Sequence, residues 1–266
     1  MQQDSNTFDT RLLGRPLTAR SVVASVLLGT QPPELPARLL VRAGELFGLA
    51  EGTVRVAISR MVAAAELEAT GHGRYRLVGH LLERQARQDQ SRRPPPRRWT
   101  GEWTTAVVTT DGRSPAERAA LRHAMAARRM AELREGVWLR PDNLGPVRTG
   151  DDLPERHCTW FTSRPLAVDA ETLTHSLWDL DGWSSITDAL LNRMDSSIGS
   201  LRSGDTGALG PCFVTAATAL RHLTSDPLLP AELEPGAWNG NDLRAAYDDY
   251  EGALQALLRS WFRTQK

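Results

Sequence analysis

Three consecutive prolines, Pro94, Pro95 and Pro96, sit between arginines in the segment SRRPPPRR at 91–98, and they constrain this chain more than any other feature. Each proline removes a backbone donor and fixes φ at roughly −65°, which helix interiors and central strands do not tolerate in series. The segment therefore predicts a semi-rigid, extended linker. The 266 residues must then fold as separate parts on either side of it.

The two sides differ in charge. Residues 1–100 carry 15 arginines against 9 acidic residues, and the remainder carries 17 basic against 23 acidic, so a formal net charge of zero hides a basic part and an acidic part. The basic part suits a polyanion. Cys158 and Cys212 lie far apart without metal-ligand spacing, which predicts buried thiols in a reducing compartment rather than a disulfide or zinc site. The first ten residues are polar and acidic, unlike a signal peptide, and the apolar stretch at 21–29 is too short to span a bilayer. A cytoplasmic protein with no membrane partner is expected.

Before the linker the pattern reads helix, helix, helix, hairpin. Residues 18–28 place Val22, Val23, Val26 and Leu27 on one side and stop at Gly29. Pro32, Pro33 and Pro36 predict a loop, with Pro36 suited to a helix start. A second helix is expected over 37–47 and a third over 51–65. Residues 67–78 read as two short strands around Gly71-His72-Gly73.

The third helix carries the functional signal. Val54, Ile58, Met61 and Ala65 recur at steps of four, three and four, which makes one buried face. Thr53, Arg55, Val56, Ser59, Arg60 and Ala63 fall opposite, and no acidic residue occurs between Thr53 and Ala65. A helix of this kind can lie in a major groove, with Arg55 or Arg60 bidentate to guanine. Thr53, Ser59 and Arg60 would anchor phosphates. His72, Arg74 and Arg76 cluster on the hairpin that follows, within reach of the flanking backbone or minor groove. This order of motifs in the basic part implies a winged helix-turn-helix that binds double-stranded DNA.

After the linker, 103–110 reads as a strand rich in Val and Thr. Ser114 opens a helix to about Met130, since Ser-Pro-Ala-Glu supplies a hydroxyl cap, a first-turn proline and a glutamate three residues on. Strands at 136–139 and 157–162 complete a β-α-β pattern of ferredoxin-like type. Helices follow at 171–178, 184–202, 207–223 and 242–262. The expected fold class is α+β and multi-domain: a winged-helix DNA-binding domain (15–90), the Pro/Arg linker (91–98), a ferredoxin-like domain (99–168) and a helical C-terminal domain (169–266). The last would bind an effector or dimerise, and Leu254, Leu257, Leu258 and Trp261 suit a dimer face. For an anionic effector the candidate contacts are Arg193, Arg202 and Arg221, with His222 beside the last.

Signatures of catalysis are missing from the sequence. There is no Walker loop, G-x-S-x-G, H-E-x-x-H or C-x-x-C. The six histidines, at 72, 80, 123, 157, 175 and 222, fall in no ligand spacing. No cofactor and no enzymatic activity are expected. The alternative is a metal-dependent nuclease built on the ferredoxin-like domain, with Asp111 at the end of its first strand. Metal catalysis normally needs more than one carboxylate, and Asp111-Gly112 serves a turn on conformational grounds alone.

The segments TARSVVASVLLG, LFGLAEGTVRVAISRMVAAAELEATGHGRYRLV, WTGEWTTAVVTT, REGVWLRPDNL and ALRHLTSDPLLPAELEPGAWNG together resemble the PaaX family of phenylacetate-pathway repressors, from about residue 17 nearly to the end. GTVRVAISRMV and RHLTSDPLLP, with Asp226-Pro227 and Leu229-Pro230, are the most specific parts. The resemblance implies a winged-helix domain, a ferredoxin-like middle domain, a helical C-terminal domain and a homodimer on DNA. It also implies control by a small effector, an aryl-CoA thioester in the best-known case, and a two-fold dimer would repress by occupying a palindromic operator. The chain differs from the family in a shorter hairpin, GHGRYR, and in a middle helix without an aromatic-rich finish after Met130.

Overall fold

The computed structural model describes residues 18–30, 32–79, 98–145 and 153–264. His80 and the linker residues 91–97 lie outside the described residues. Contacts divide the chain into two compact units: 18–79, 189–222 and 242–264 in the first, and 98–188 with 223–241 in the second.

The first unit opens with α1 (Ala19–Leu28), started by a reciprocal cap in which the Thr18 hydroxyl accepts from the Ser21 N–H at 3.1 Å and the Ser21 hydroxyl accepts from the Thr18 N–H at 2.8 Å. The prolines that follow do not leave only a loop. Glu34–Pro36 form a short strand, β1, before α2 (Ala37–Glu45). Pro36 is tolerated there because β1 is an edge strand. Next come α3 (Glu51–Ala63), β2 (Leu67–Gly71) and β3 (Arg74–Leu77), with the sheet ordered β1-β3-β2 and antiparallel throughout. His72 at φ 49 and Gly73 at φ 68 make the two-residue turn that matches strand twist in a tight hairpin. Leu27, Leu40, Val54, Ile58, Met61, Leu67 and Leu77 form the core beneath. Ala65, expected on the buried helix face, instead stands exposed at φ 52 beyond the end of α3.

Three C-terminal helices, α7 (Leu180–Arg202), α8 (Leu209–Ser225) and α9 (Gly240–Thr264), contribute most of their length to this unit. Phe47 meets Phe213 edge-on at 5.1 Å, and Gln255 Nε2 donates to the Gly29 carbonyl at 2.8 Å. Leu254, Leu257 and Leu258, whose spacing suits a dimer face, are buried within their own chain.

The second unit contains β4 (Trp103–Val108), α4 (Pro115–Ala127), β5 (Ala131–Arg134), β6 (Val137–Pro141), α5 (Leu153–His157), β7 (Cys158–Ser163) and α6 (Ala170–Leu177). Its sheet is ordered β5-β6-β4-β7, with every neighbouring pair antiparallel. Strand alternation gives it two apolar faces. Ala106, Trp138 and Cys158 pack on Leu121 and Met125 of α4. Trp103 and Leu139 pack on Leu173, Leu180, Leu229 and Leu233. β5 is absent from the sequence reading because Ala-Glu-Leu-Arg suits a helix equally well; Arg129, at φ 62, is where the chain leaves α4 and turns into it.

The segment after α8 is buried rather than draped over the surface. Asp226 is fully buried, and its Oδ1 accepts from the Leu228 N–H at 2.7 Å while Leu228 holds φ 54. Asn143 Nδ2 donates to the Leu228 carbonyl at 2.8 Å, and Arg129 donates to the Thr224 carbonyl. Trp183 stacks on Trp238 with centroids 4.4 Å apart. The fold class is α+β, with two small antiparallel sheets among helices.

Candidate nucleic-acid interface

The geometry of α3 follows from its period of about 100° per residue. Val54, Ile58 and Met61, at 1%, 3% and 1% exposure, anchor one side in the core. Directly opposite, Gly52, Val56 and Ala63 form an exposed crest, with Thr53 and Arg60 along one flank and Arg55 and Ser59 along the other. Val56 is 51% exposed, the largest apolar side chain on that crest. The Ser59 hydroxyl donates back to the Arg55 carbonyl at 3.1 Å. The helix is held in place by α2, where Gly44 allows Val54 to approach closely: a Cβ on Gly44 would stand 2.5 Å from Val54 Cγ2.

A groove of about 630 Å³ runs between the start of α1 and the Thr53–Arg60 flank of α3. Thr18, Ala19 and Arg20 form one wall, with Glu66 at the end of the groove. Arg20 Nε donates to Glu66 at 2.8 Å, and that carboxylate raises the Arg20 pKa. Arg20 and Thr18 were not among the sequence candidates. Arg20 reaches Glu66 across 46 residues of sequence, which no local pattern exposes.

All eight candidate DNA contacts are exposed: Thr53, Arg55, Val56, Ser59 and Arg60 on α3, and His72, Arg74 and Arg76 on the hairpin. Their charges are not equally available. Arg55 pairs with Glu51 one turn earlier at 2.7 Å. Arg74 pairs with Glu34 on β1, and Arg76 with Glu68 on β2 at 3.0 Å. The Arg74 hydrogen bond holds the Glu34 carboxyl below its ordinary range, and Glu68 raises the Arg76 pKa. Among the described residues, Arg60 is the one arginine of the four without an ion-pair partner.

The candidate effector residues sit on the C-terminal helices. Arg193 Nε donates to Thr215 Oγ1 at 2.9 Å, while Arg202 reaches both carboxylate oxygens of Asp249, at 2.9 and 2.7 Å. Arg221 is exposed and His222 half-buried, both on α8.

Asp111 lies exposed past the end of β4, beside Gly112 at φ 72. Among the described residues no group of three His, Cys, Asp or Glu side chains is placed to hold a metal ion. Burial pushes the Cys158 thiol up to about 11, so it is protonated and unreactive at neutral pH. No helix among the described residues is long and apolar enough to cross a membrane.

A family profile described as "PaaX-like protein" matches residues 18–81, and one described as "PaaX-like protein C-terminal domain" matches residues 178–264. The chain is also similar to a solved structure described as "Uncharacterized protein Rv0674 from Mycobacterium tuberculosis". The two are 42% identical over 92% of this chain and 99% of that one, with a TM-score of 0.68. Comparison with curated proteins finds no match.

Proposed function

The chain belongs to the PaaX-like family, and from that premise we propose that it is a transcriptional regulator that binds double-stranded DNA through a winged helix-turn-helix. Helices α2 and α3 form the helix-turn-helix, α3 enters the major groove, and the β2–β3 hairpin is the wing. The observation that carries this reading is the exposed face of α3, which opposes a fully buried face, has no acid between Thr53 and Ala65, and keeps Arg60 unpaired among the described residues. The second unit reads as a ferredoxin-like domain, supported by its strand order of second, third, first, fourth.

In the same reading the protein acts as a homodimer on a palindromic operator, with half-sites about 34–36 Å or a multiple apart. It represses by occupancy until a small effector, an aryl-CoA thioester in the family's best-known case, binds the C-terminal helices near Arg193, Arg202, Arg221 and His222. Arg202 would then exchange Asp249 for a phosphate.

The test is binding of the purified chain to DNA from its own promoter region, against scrambled DNA, across a salt series. Sequence-specific binding is expected, and Arg60→Ala should weaken it by roughly 10- to 100-fold, the worth of one good base contact. Binding that ignores both sequence and Arg60→Ala would overturn the reading.

A further inference from the structure

The crest of α3 is unusual in what it lacks. At the positions farthest from the core stand Gly52, Val56 and Ala63, and the polar side chains Thr53, Arg55, Ser59 and Arg60 lie on the flanks. A crest of glycine and alanine lets the helix axis come close to whatever it meets. The one side chain that projects there is branched, apolar and half exposed, and it is stiff at χ1. Val56 also borders the groove beside α1, together with Ala19, Ala57, Met61 and Ala64. Between Thr53 and Ala65 the helix carries no acid, and Arg60 is unpaired among the described residues, which favours a polyanion.

We infer that Val56 reads the 5-methyl group of a thymine in the major groove, as the apolar specificity contact of α3. Of the four bases, thymine alone presents a methyl group there, and apolar side chains are the natural complement to it. Val56 sits one helical turn from Arg60 on the same face. The pair therefore specifies a thymine within a step or two of the guanine that Arg60 contacts. The inference rests on the DNA-binding reading above.

The experiment uses the full chain and a randomised duplex pool. The protein selects a consensus, and each thymine of that consensus is then replaced singly by uracil, which deletes the methyl group and leaves every hydrogen-bonding atom in place. Affinities are measured at fixed salt for the wild type and for Val56→Ala, whose fold is checked by its melting curve. The wild type is expected to lose about fourfold at one thymine, the worth of one buried methyl group. Val56→Ala should bind the thymine duplex more weakly by a similar factor and be indifferent to that uracil. If a consensus emerges but every uracil is neutral, or Val56→Ala retains the same uracil penalty, the Val56 assignment falls and DNA binding stands. If no consensus emerges, sequence-specific binding falls and takes this assignment with it.

Discussion

Glu34 shows how a single side chain sets the character of a surface. It stands on an edge strand three residues long and holds Arg74 on the neighbouring strand, with Arg76 as its cross-strand partner in register. While Glu34 holds Arg74, that guanidinium is occupied by a carboxylate and is not free for a phosphate. Glu34→Gln is expected to leave the hairpin folded and to steepen the log–log salt slope of DNA binding by about one, since each phosphate neutralised contributes roughly 0.9. An unchanged slope would mean that Arg74 does not reach the backbone. The Glu51–Arg55 pairing follows a four-residue helical step that brings side chains together, yet it was not read from the sequence, where Arg55 stood only as a base contact. Glu34 lies 40 residues from Arg74, and strand register alone decides that they meet.

At the scale of elements, the long helices declared themselves through apolar periodicity, and each boundary read from sequence falls within a few residues of the observed one. Among elements of three to five residues, β2, β3 and β6 were expected from the sequence, and β1, β5 and α5 were not. β1, β5 and α5 are too short for a period, and each exists because a neighbour supplies its hydrogen bonds or packing. The exposed face of α3 was legible for the same reason as its buried face: a fixed period assigns both. Its placement depends on Gly44, where α2 and α3 approach closely. Gly44→Ala is expected to lower stability by about 1–3 kcal/mol through overpacking against Val54, read as a lower denaturant midpoint. A midpoint equal to wild type would show that Val54 moves aside freely.

Over the whole molecule, segments distant in sequence complete each unit, and this is the part a local reading reaches least. The Asp226–Pro230 segment shows no period, yet it is buried with its backbone bonded to Asn143 and Asp226. The boundary between units falls inside α7 and α8, helices whose sequence runs on without a break. Both units share an acid sensitivity. Glu34 is held down by Arg74, Glu117 by the Ser114 N–H and Asp169 by the Thr172 N–H, so all three carboxyls have folded-state pKa values below the ordinary range. Groups depressed in this way stabilise the fold above their unfolded pKa, about 4, and lose that contribution as pH falls through the folded values. The denaturant midpoint is therefore expected to be flat from about pH 7 to 5 and to drop below about 4, less steeply in Glu117→Gln. A midpoint that rises on acidification would contradict it.

The pairing of Arg55, Arg74 and Arg76 with carboxylates of their own unit has a kinetic consequence. On the DNA-binding reading, three of the four candidate arginines reach the duplex already paired, so an arbitrary stretch of DNA holds them only briefly. The search is then made of short visits, and a long residence begins only where base edges add to Arg60, the one of these four arginines unpaired among the described residues.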